Sequence, residues 1–465
     1  MTFGTVLIAN RGEVALRIIR ACRRLNLKTV AVYAEADRGM AYLDLADTAV
    51  CIGPGPARQS YLDSGALLLA ARATGAQAIH PGYGFLSENA DFAQAVADAG
   101  LTFIGPSPAC IRMMGDKIRA KQAMRAHGVP CVPGSDMALP EDMAACHELG
   151  LIVGYPLIIK AAGGGGGRGM RVVRSHTQLA DLLSATREEA RAAFNNPDVY
   201  MERFLEHPRH IEIQVLCDAH GQAVWLGERD CSVQRRHQKL VEEAPAPGVP
   251  RAAIRQLGEL CVRACLGMDY RGLGTFEFLY EDGTFAFIEM NTRMQVEHPV
   301  TEAITGRDLI ADQIRVARGE PLGYTQADVA FSGHAIECRI NAEQPFTGQP
   351  SPGTVSALHV PGGPGIRFDS HLTRGARVSS FYDSLTGKLI VTGRDRAQAL
   401  DRMAAALAEL RVDGVMVNTA LHRRIVADEA FRAGGVSIHY LDSLLCEPAT
   451  ADPACEPSTA LQEAG

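Results

Sequence analysis

Ile288-Glu289-Met290-Asn291-Thr292-Arg293-Met294-Gln295-Val296-Glu297-His298-Pro299 opens with the alternation of a strand. Ile288 and Met290 fall on one face, Glu289, Asn291 and Arg293 on the other. An acid, an amide and a guanidinium therefore point the same way. A row turned to a core would be apolar, so this row faces a site or solvent. Glu297 follows in the same segment, ahead of the Pro299 expected to end it. Such a row can hold a metal through Glu289 and Asn291, bind an oxyanion through Arg293 and supply a base in Glu297. For one alternating strand by itself, a solvated face is the better reading.

The preceding stretch tips the balance. Thr275-Phe276-Glu277-Phe278-Leu279-Tyr280 alternates too, and Glu281-Asp282-Gly283-Thr284 is a turn signal. For Phe276, Phe278 and Tyr280 to share one core face with Ala286, Ile288 and Met290, the loop needs an odd number of residues. A three-residue loop with its glycine left-handed fits. The same parity sets Glu277 beside Glu289. Two adjacent carboxylates repel unless a cation or a proton lies between them. With Asn291 as a third oxygen ligand, the expected occupant is Mg²⁺, held at roughly 2.0–2.1 Å by carboxylates together with substrate phosphates.

A second signal lies upstream. Tyr155-Pro156-Leu157-Ile158-Ile159-Lys160-Ala161-Ala162 reads as a buried strand that delivers Lys160 to the run Gly163-Gly164-Gly165-Gly166-Gly167-Arg168-Gly169, before a second strand at Met170-Arg171-Val172-Val173. Glycines let backbone N–H groups wrap phosphate oxygens, and the lysine adds a point charge. No Gly-Lys-Ser/Thr leads into a helix, so this is not a Walker A loop. The loop joins two strands, so it is not a dinucleotide fingerprint either. A flexible linker is the bland alternative, and the flanking Val/Ile-rich strands argue against it.

Together these motifs resemble the ATP-grasp ligases and, more closely, the biotin carboxylases. Further stretches carry the likeness: Ile8-Ala9-Asn10-Arg11-Gly12-Glu13, His80-Pro81-Gly82-Tyr83-Gly84-Phe85-Leu86-Ser87-Glu88-Asn89, Met114-Gly115-Asp116-Lys117, Pro208-Arg209-His210-Ile211-Glu212-Ile213-Gln214 and the run from Glu228 to Lys239. It extends from about Thr5 to about Leu441.

The resemblance implies an α/β and α+β chain of three parts. Residues 1–115 form a doubly wound Rossmann-like unit, 116–330 an ATP-grasp domain with a mobile lid at about 131–203, and 331–446 a C-terminal unit; 447–465 is expected to be a disordered tail. Alternation independently supports the first part, with strand cores at 5–9, 28–33, Thr48–Ile52, Ala78–Ile79 and Thr102–Ile104 and a helix over 12–25. The implied substrates are ATP with Mg²⁺ or Mn²⁺, bicarbonate and biotin.

Residue roles follow from the likeness. Lys117, Lys160, Gly165 and Gly166 approach the ATP phosphates, and the backbone around Glu202-Arg203-Phe204-Leu205 holds the adenine. His210, Gln234 and His237 are nucleotide contacts, and Lys239 reaches toward bicarbonate. Glu277, Glu289 and Asn291 take the metal. Arg293, with amides near Gln295 and Val296, holds bicarbonate; Glu297 removes its proton; Arg339 faces the ureido oxygen of biotin, where a fixed guanidinium stabilises an enolate. Bland readings compete at three of these. A lone strand histidine is usually structural, an arginine-rich turn usually solvated, and Arg339 two residues after Glu337 could be an intrastrand ion pair.

Composition excludes several classes. At 465 residues the chain should hold two or three domains. A formal net charge of -7 leaves no footprint for nucleic acid. No apolar run approaches a membrane span, and the N-terminus enters a strand without a signal-peptide layout, so a cytoplasmic location is expected. The 12 cysteines are scattered and expected to be reduced, with Cys261 and Cys265 one helical turn apart on a buried face.

No Met-Lys-Met biotinylation signal occurs. A separate biotin carboxyl carrier protein and separate carboxyltransferase subunits are therefore the expected partners, in an acyl-CoA carboxylase, with acetyl-CoA carboxylase of fatty acid synthesis as the expected one. Other acceptors (another acyl-CoA, urea, pyruvate), a different ATP-grasp ligase and an inactive nucleotide-binding regulator remain open. In relatives the homodimer face has an acid where this chain has Arg24 and an aromatic where it has Pro364, beside positions matching Arg20 and Arg367. A weakened dimer is expected, because a two-fold axis repeats any like-charge contact.

Overall fold

The computed structural model describes residues 2–135, 137–163 and 169–446. Gly165, Gly166 and the tail at 447–465 lie outside the described residues, and with them what the sequence suggests for each.

The N-terminal third is a parallel five-stranded sheet in the order Thr48–Gly53, Lys28–Ala34, Thr5–Ile8, Ala78–His80, Thr102–Phe103. Helices Gly12–Arg24, Ser64–Thr74 and Ala90–Asp98 cover it. Both faces are buried, which is why Val6, Leu7 and Ile8 are all apolar and fully buried instead of alternating.

The second layer is an antiparallel sheet of eight strands. Its order is Thr284–Asn291, Gly272–Glu281, Arg209–Cys217, Ala223–Arg235, Gln238–Ala244, His334–Asn341, Leu385–Gly393, Ile366–Ser370. The sheet does not stop where the ATP-grasp part was expected to end. Gln238–Ala244 pairs with His334–Asn341, setting Glu242 opposite Glu337, so the last third is hydrogen-bonded to the middle third. Helix Arg251–Gly267 packs Cys261 and Cys265 into the core beneath this sheet, as its spacing implies. All cysteines among the described residues are free thiols.

A third, smaller sheet joins Met170–Val173, Leu157–Ala161 and Val199–Arg203, with helices Met143–Val153 and Leu179–Phe194 closing a core of its own. It carries Lys160 on the central strand. Among the described residues, no helix is long and apolar enough to cross a membrane.

The decisive hairpin differs from its reading in one respect. Its loop has two residues, Asp282 and Gly283, both left-handed with φ of 49° and 79°, the geometry of a tight hairpin turn. The odd residue is a bulge instead, between the pairs Glu277/Glu289 and Phe278/Phe287. The core face therefore takes Phe285, Phe287 and Met290 against Phe276 and Phe278, not Ala286 and Ile288. Ile288 turns to the site cavity. Glu277 stands opposite Glu289, as the parity requires.

Pro299 also acts differently from its reading. It lies in the first turn of helix His298–Thr305, where its missing N–H costs nothing, and Glu297 is the residue that begins that helix.

Candidate active site

Between the three sheets lies a cavity of about 790 Å³. Nearly every residue singled out from the sequence reaches it. Lys117, Lys160, Leu205, His210, Gln234, His237, Lys239, Glu277, Glu289, Asn291, Arg293, Gln295, Val296 and Arg339 all line its wall. The side chains of Glu202 and Glu297 do not. Both are buried behind the wall, Glu297 against Lys239 and Arg339, and Glu202 with Oε2 2.7 Å from the Lys160 ammonium and Lys121 on its other oxygen. Arg203, Phe204 and Leu205 line the cavity in place of Glu202.

Charge is concentrated at Lys239. Its ammonium donates to Glu212, to Glu277 Oε1 at 2.8 Å and to Glu297 Oε1 at 2.8 Å. Burial disfavours the ammonium, yet three carboxylates more than offset that and raise its pKa well above the usual lysine value. Glu297 is fully buried, and its second oxygen accepts from Arg339 Nη2 at 2.9 Å. Burial alone would push its carboxyl up, but Lys239 and Arg339 hold it below the usual range despite repulsion from Glu212. Glu297 is thus held in its carboxylate form.

The bland reading of Arg339 fails. Its Nε donates to Glu242 on the neighbouring strand at 2.6 Å, and Glu337 makes no hydrogen bond to it. Burial raises the carboxyl of Glu242, despite Arg339, to about 7. His210 likewise lines the cavity: Nε2 lies 3.1 Å from Glu212 and 3.3 Å from Glu277. Burial opposes its protonation, but Glu277 and Glu212 raise it to about 9. The arginine-rich turn is a hairpin tip, Arg236 and His237 with φ of 51° and 64°, which brings His237 to the cavity. Two non-glycine residues in that region store strain, as sites often do.

Arg293 is held on three sides. Nε donates to Glu88 Oε2 at 2.9 Å, Nη1 to Gln295 Oε1 at 3.1 Å and Nη2 to Asn291 Oδ1 at 3.0 Å. Glu277 and Glu289 offer hard oxygen donors to the cavity, which suits Mg²⁺. Lys117 lies 3.3 Å from Glu289 and supplies cationic charge there. Asn291 donates its amide N–H to Glu277 at 2.7 Å while its oxygen is on Arg293, so it has to turn over to become a third oxygen ligand.

Residues that sequence reasoning passed over include Glu212, Glu88, Tyr83 and Glu242. The first had a signal: His210, Glu212 and Gln214 alternate with apolar residues and share the face of Glu277. Behind it, Arg229 donates to Glu212 through Nε at 3.1 Å and Nη2 at 2.9 Å, and both side chains are fully buried.

Three family models match in succession: the biotin carboxylase N-terminal domain over 2–111, the ATP-binding domain of the carbamoyl-phosphate synthase L chain over 116–325, and the biotin carboxylase C-terminal domain over 337–443. A biotin carboxylase of Allochromatium vinosum is 59% identical over 440 residues, 95% of this chain and 98% of the relative. The chain belongs to the biotin carboxylase family. It is an ATP-dependent ligase of the ATP-grasp type with the three-part architecture of that family. A pyruvate carboxylase subunit of Methanothermobacter thermautotrophicus is 47% identical, covering 95% of this chain and 90% of that one. Among solved structures, the biotin carboxylase domain dimer of Hydrogenobacter thermophilus 2-oxoglutarate carboxylase, in complex with MgADP, ADP and bicarbonate, superposes with a TM-score of 0.91. It is 44% identical and covers 96% of this chain and 100% of that one.

Proposed function

We propose that this protein carboxylates biotin, at the expense of ATP and bicarbonate, on a separate carrier protein. The observation that carries the reading is the contact between Glu297 and Arg339, 2.9 Å apart and 42 positions distant in the chain. A base and an enolate-stabilising guanidinium meet there, the base fully buried just behind Arg339 and Lys239, which line the cavity together with Lys117 and Lys160.

Bicarbonate docks against Arg293, Lys239 and the Gln295–Val296 backbone. These cations acidify its proton, and Glu297 accepts it. The freed oxygen attacks the γ-phosphorus of ATP; the new P–O bond forms as the bond to ADP breaks, giving carboxyphosphate. Lys117, Lys160 and the glycine-rich loop bind the phosphate oxygens and offset their charge. Mg²⁺ on Glu277 and Glu289, when bound, supplies further neutralisation of that charge. Carboxyphosphate then releases CO₂, and its phosphate takes the ureido proton. Arg339 stabilises the resulting enolate, whose nitrogen bonds to CO₂. The segment at about 131–203 acts as a lid that excludes water, since carboxyphosphate would otherwise hydrolyse.

The carrier passes the carboxyl group to a separate carboxyltransferase, with acetyl-CoA as the final acceptor, in the cytoplasm. The chain forms a homodimer through the face that bears Arg20, Arg24, Pro364 and Arg367. Arg24 Nη1 is engaged within its own chain by Asp308 Oδ2 at 2.9 Å, which damps the repulsion expected of it.

The test is phosphate release at saturating Mg²⁺ with bicarbonate, with and without free biotin. Release that needs bicarbonate and rises with biotin is expected; no response to biotin transfers the protein to another ATP-grasp chemistry.

A further inference from the structure

Lys388 lies outside the roles above, yet it is completely buried on the strand Leu385–Gly393. Burying an ammonium is costly unless it is both paired and hydrogen-bonded. Its pairing is loose: the nearest carboxylate oxygen is Glu13 Oε1 at 3.4 Å. Its hydrogen bond is tighter and goes to a backbone oxygen, the carbonyl of Val296, at 2.8 Å.

That carbonyl belongs to the peptide that carries Glu297. In a trans peptide the N–H points opposite to the C=O. Drawing Val296 O toward Lys388 therefore turns the Glu297 N–H the other way. The carbonyl one residue earlier is held likewise, since His298 Nδ1 lies 2.7 Å from Gln295 O and so fixes the direction of the Val296 N–H. Among the described residues, neither amide donates to another backbone carbonyl. Gln295 and Val296 both line the cavity. Two successive amides left free and fixed from behind make a small anion cradle.

We propose that Lys388 is a positioning residue: by holding the Val296 carbonyl it aims the Glu297 backbone amide, beside that of Val296, at bicarbonate and sets the place of the Glu297 carboxylate. The proposal rests on the carboxylase reading above. The competing role is structural. Glu13, Glu337 and Asp369 surround Lys388 electrostatically, so it could serve only as their counter-ion.

Three variants separate the two roles. Lys388→Met keeps the volume and removes the donor. Its bicarbonate KM should rise and its kcat/KM for bicarbonate fall ~10²-fold, the cost of a misplaced reacting group, with KM for ATP and calorimetric ADP binding unchanged. Glu13→Gln keeps an acceptor for the Tyr83 hydroxyl but removes the ion pair; its bicarbonate KM should match the parent. If Lys388→Met does not fold, Lys388→Arg replaces it, because it keeps the charge while displacing the donor, and the same selective loss for bicarbonate is expected. Equal losses for ATP and bicarbonate, or a Glu13→Gln loss as large as that of Lys388→Met, would establish the counter-ion role and overturn the proposal. So would a position-388 variant with the parent's bicarbonate KM. The parent is assayed alongside: if it lacks biotin-stimulated turnover, the carboxylase reading fails, whereas a working parent with indifferent variants defeats only the role of Lys388.

Discussion

Two ionic clusters sit at opposite ends of helix His298–Thr305 and its neighbours. At the cavity, one ammonium, Lys239, serves three carboxylates, and their side chains are 0–12% exposed. On the far side, Arg17, Arg24, Arg367, Glu302, Asp308 and Asp369 border a second cavity of about 530 Å³. There every one of these guanidiniums has a carboxylate within 2.9 Å, and Arg24 is 71% exposed. The second cluster satisfies itself and water screens its rim. The first is also fully paired, Glu212 by Arg229 and His210 and Glu297 by Arg339, but it is buried, and its members Lys239, His210, Glu277 and Arg339 line open space. Charge density alone does not mark a site; buried charge that lines a cavity does.

The hardest way to break the contrast is through the base. Glu297→Gln should lower turnover by ~10²–10⁴-fold while calorimetry finds ATP binding close to the parent's, because shape is kept and only proton acceptance is lost. Near-normal turnover would falsify the assignment.

Next in size is Arg229→Met. It strips the fully buried Glu212 of a bidentate partner, and thermal or denaturant unfolding should report a loss of about 3–5 kcal/mol. A neutral outcome would mean that Lys239 and His210 suffice to hold Glu212.

A pH titration sharpens the same point. His210 is raised from 6.5 to about 9, so the charged form is favoured by folding. Its contribution is fully present below pH 6.5 and is lost as pH rises through about 9. The melting temperature of the ligand-free protein should fall across that window, and His210→Gln should flatten the fall. If parent and variant share one slope, His210 is not the group responsible.

The smallest effects belong to the outer cluster. A double-mutant cycle on Arg24 and Asp308 should give less than about 1 kcal/mol, as for other exposed pairs. Sedimentation from micromolar to nanomolar concentration should find a dimer that dissociates on dilution; a dimer that persists at nanomolar concentration would show that Arg24 and Pro364 are compensated.

Much of the site was legible because its elements are local. Alternation over residues 275–291 set Glu277 opposite Glu289, and the lysine beside a glycine run marked a phosphate cradle. Periodicity reports which side of a strand a residue occupies, and this depends only on its near neighbours. The bulge at Ile288 was not legible. Whether the odd residue enters the loop or the strand depends on which aromatic rings pack beneath it, here Phe285 and Phe287 with Phe276 and Phe278. The partner of Arg339 was not legible either. Sequence spacing suggested Glu337, but strand pairing presents Glu242 from the next strand, and Glu297 arrives from a helix start 42 residues away. Lys388 gave no sign at all. A lysine in a strand reads as exposed until the sheet, the helix that follows Glu297 and the helix bearing Glu13 close around it. By itself the sequence determined the chemical groups and the faces they occupy. Only the tertiary structure decided which charges share a partner, because that depends on distances between segments far apart in the chain and on how much water the packing leaves between them.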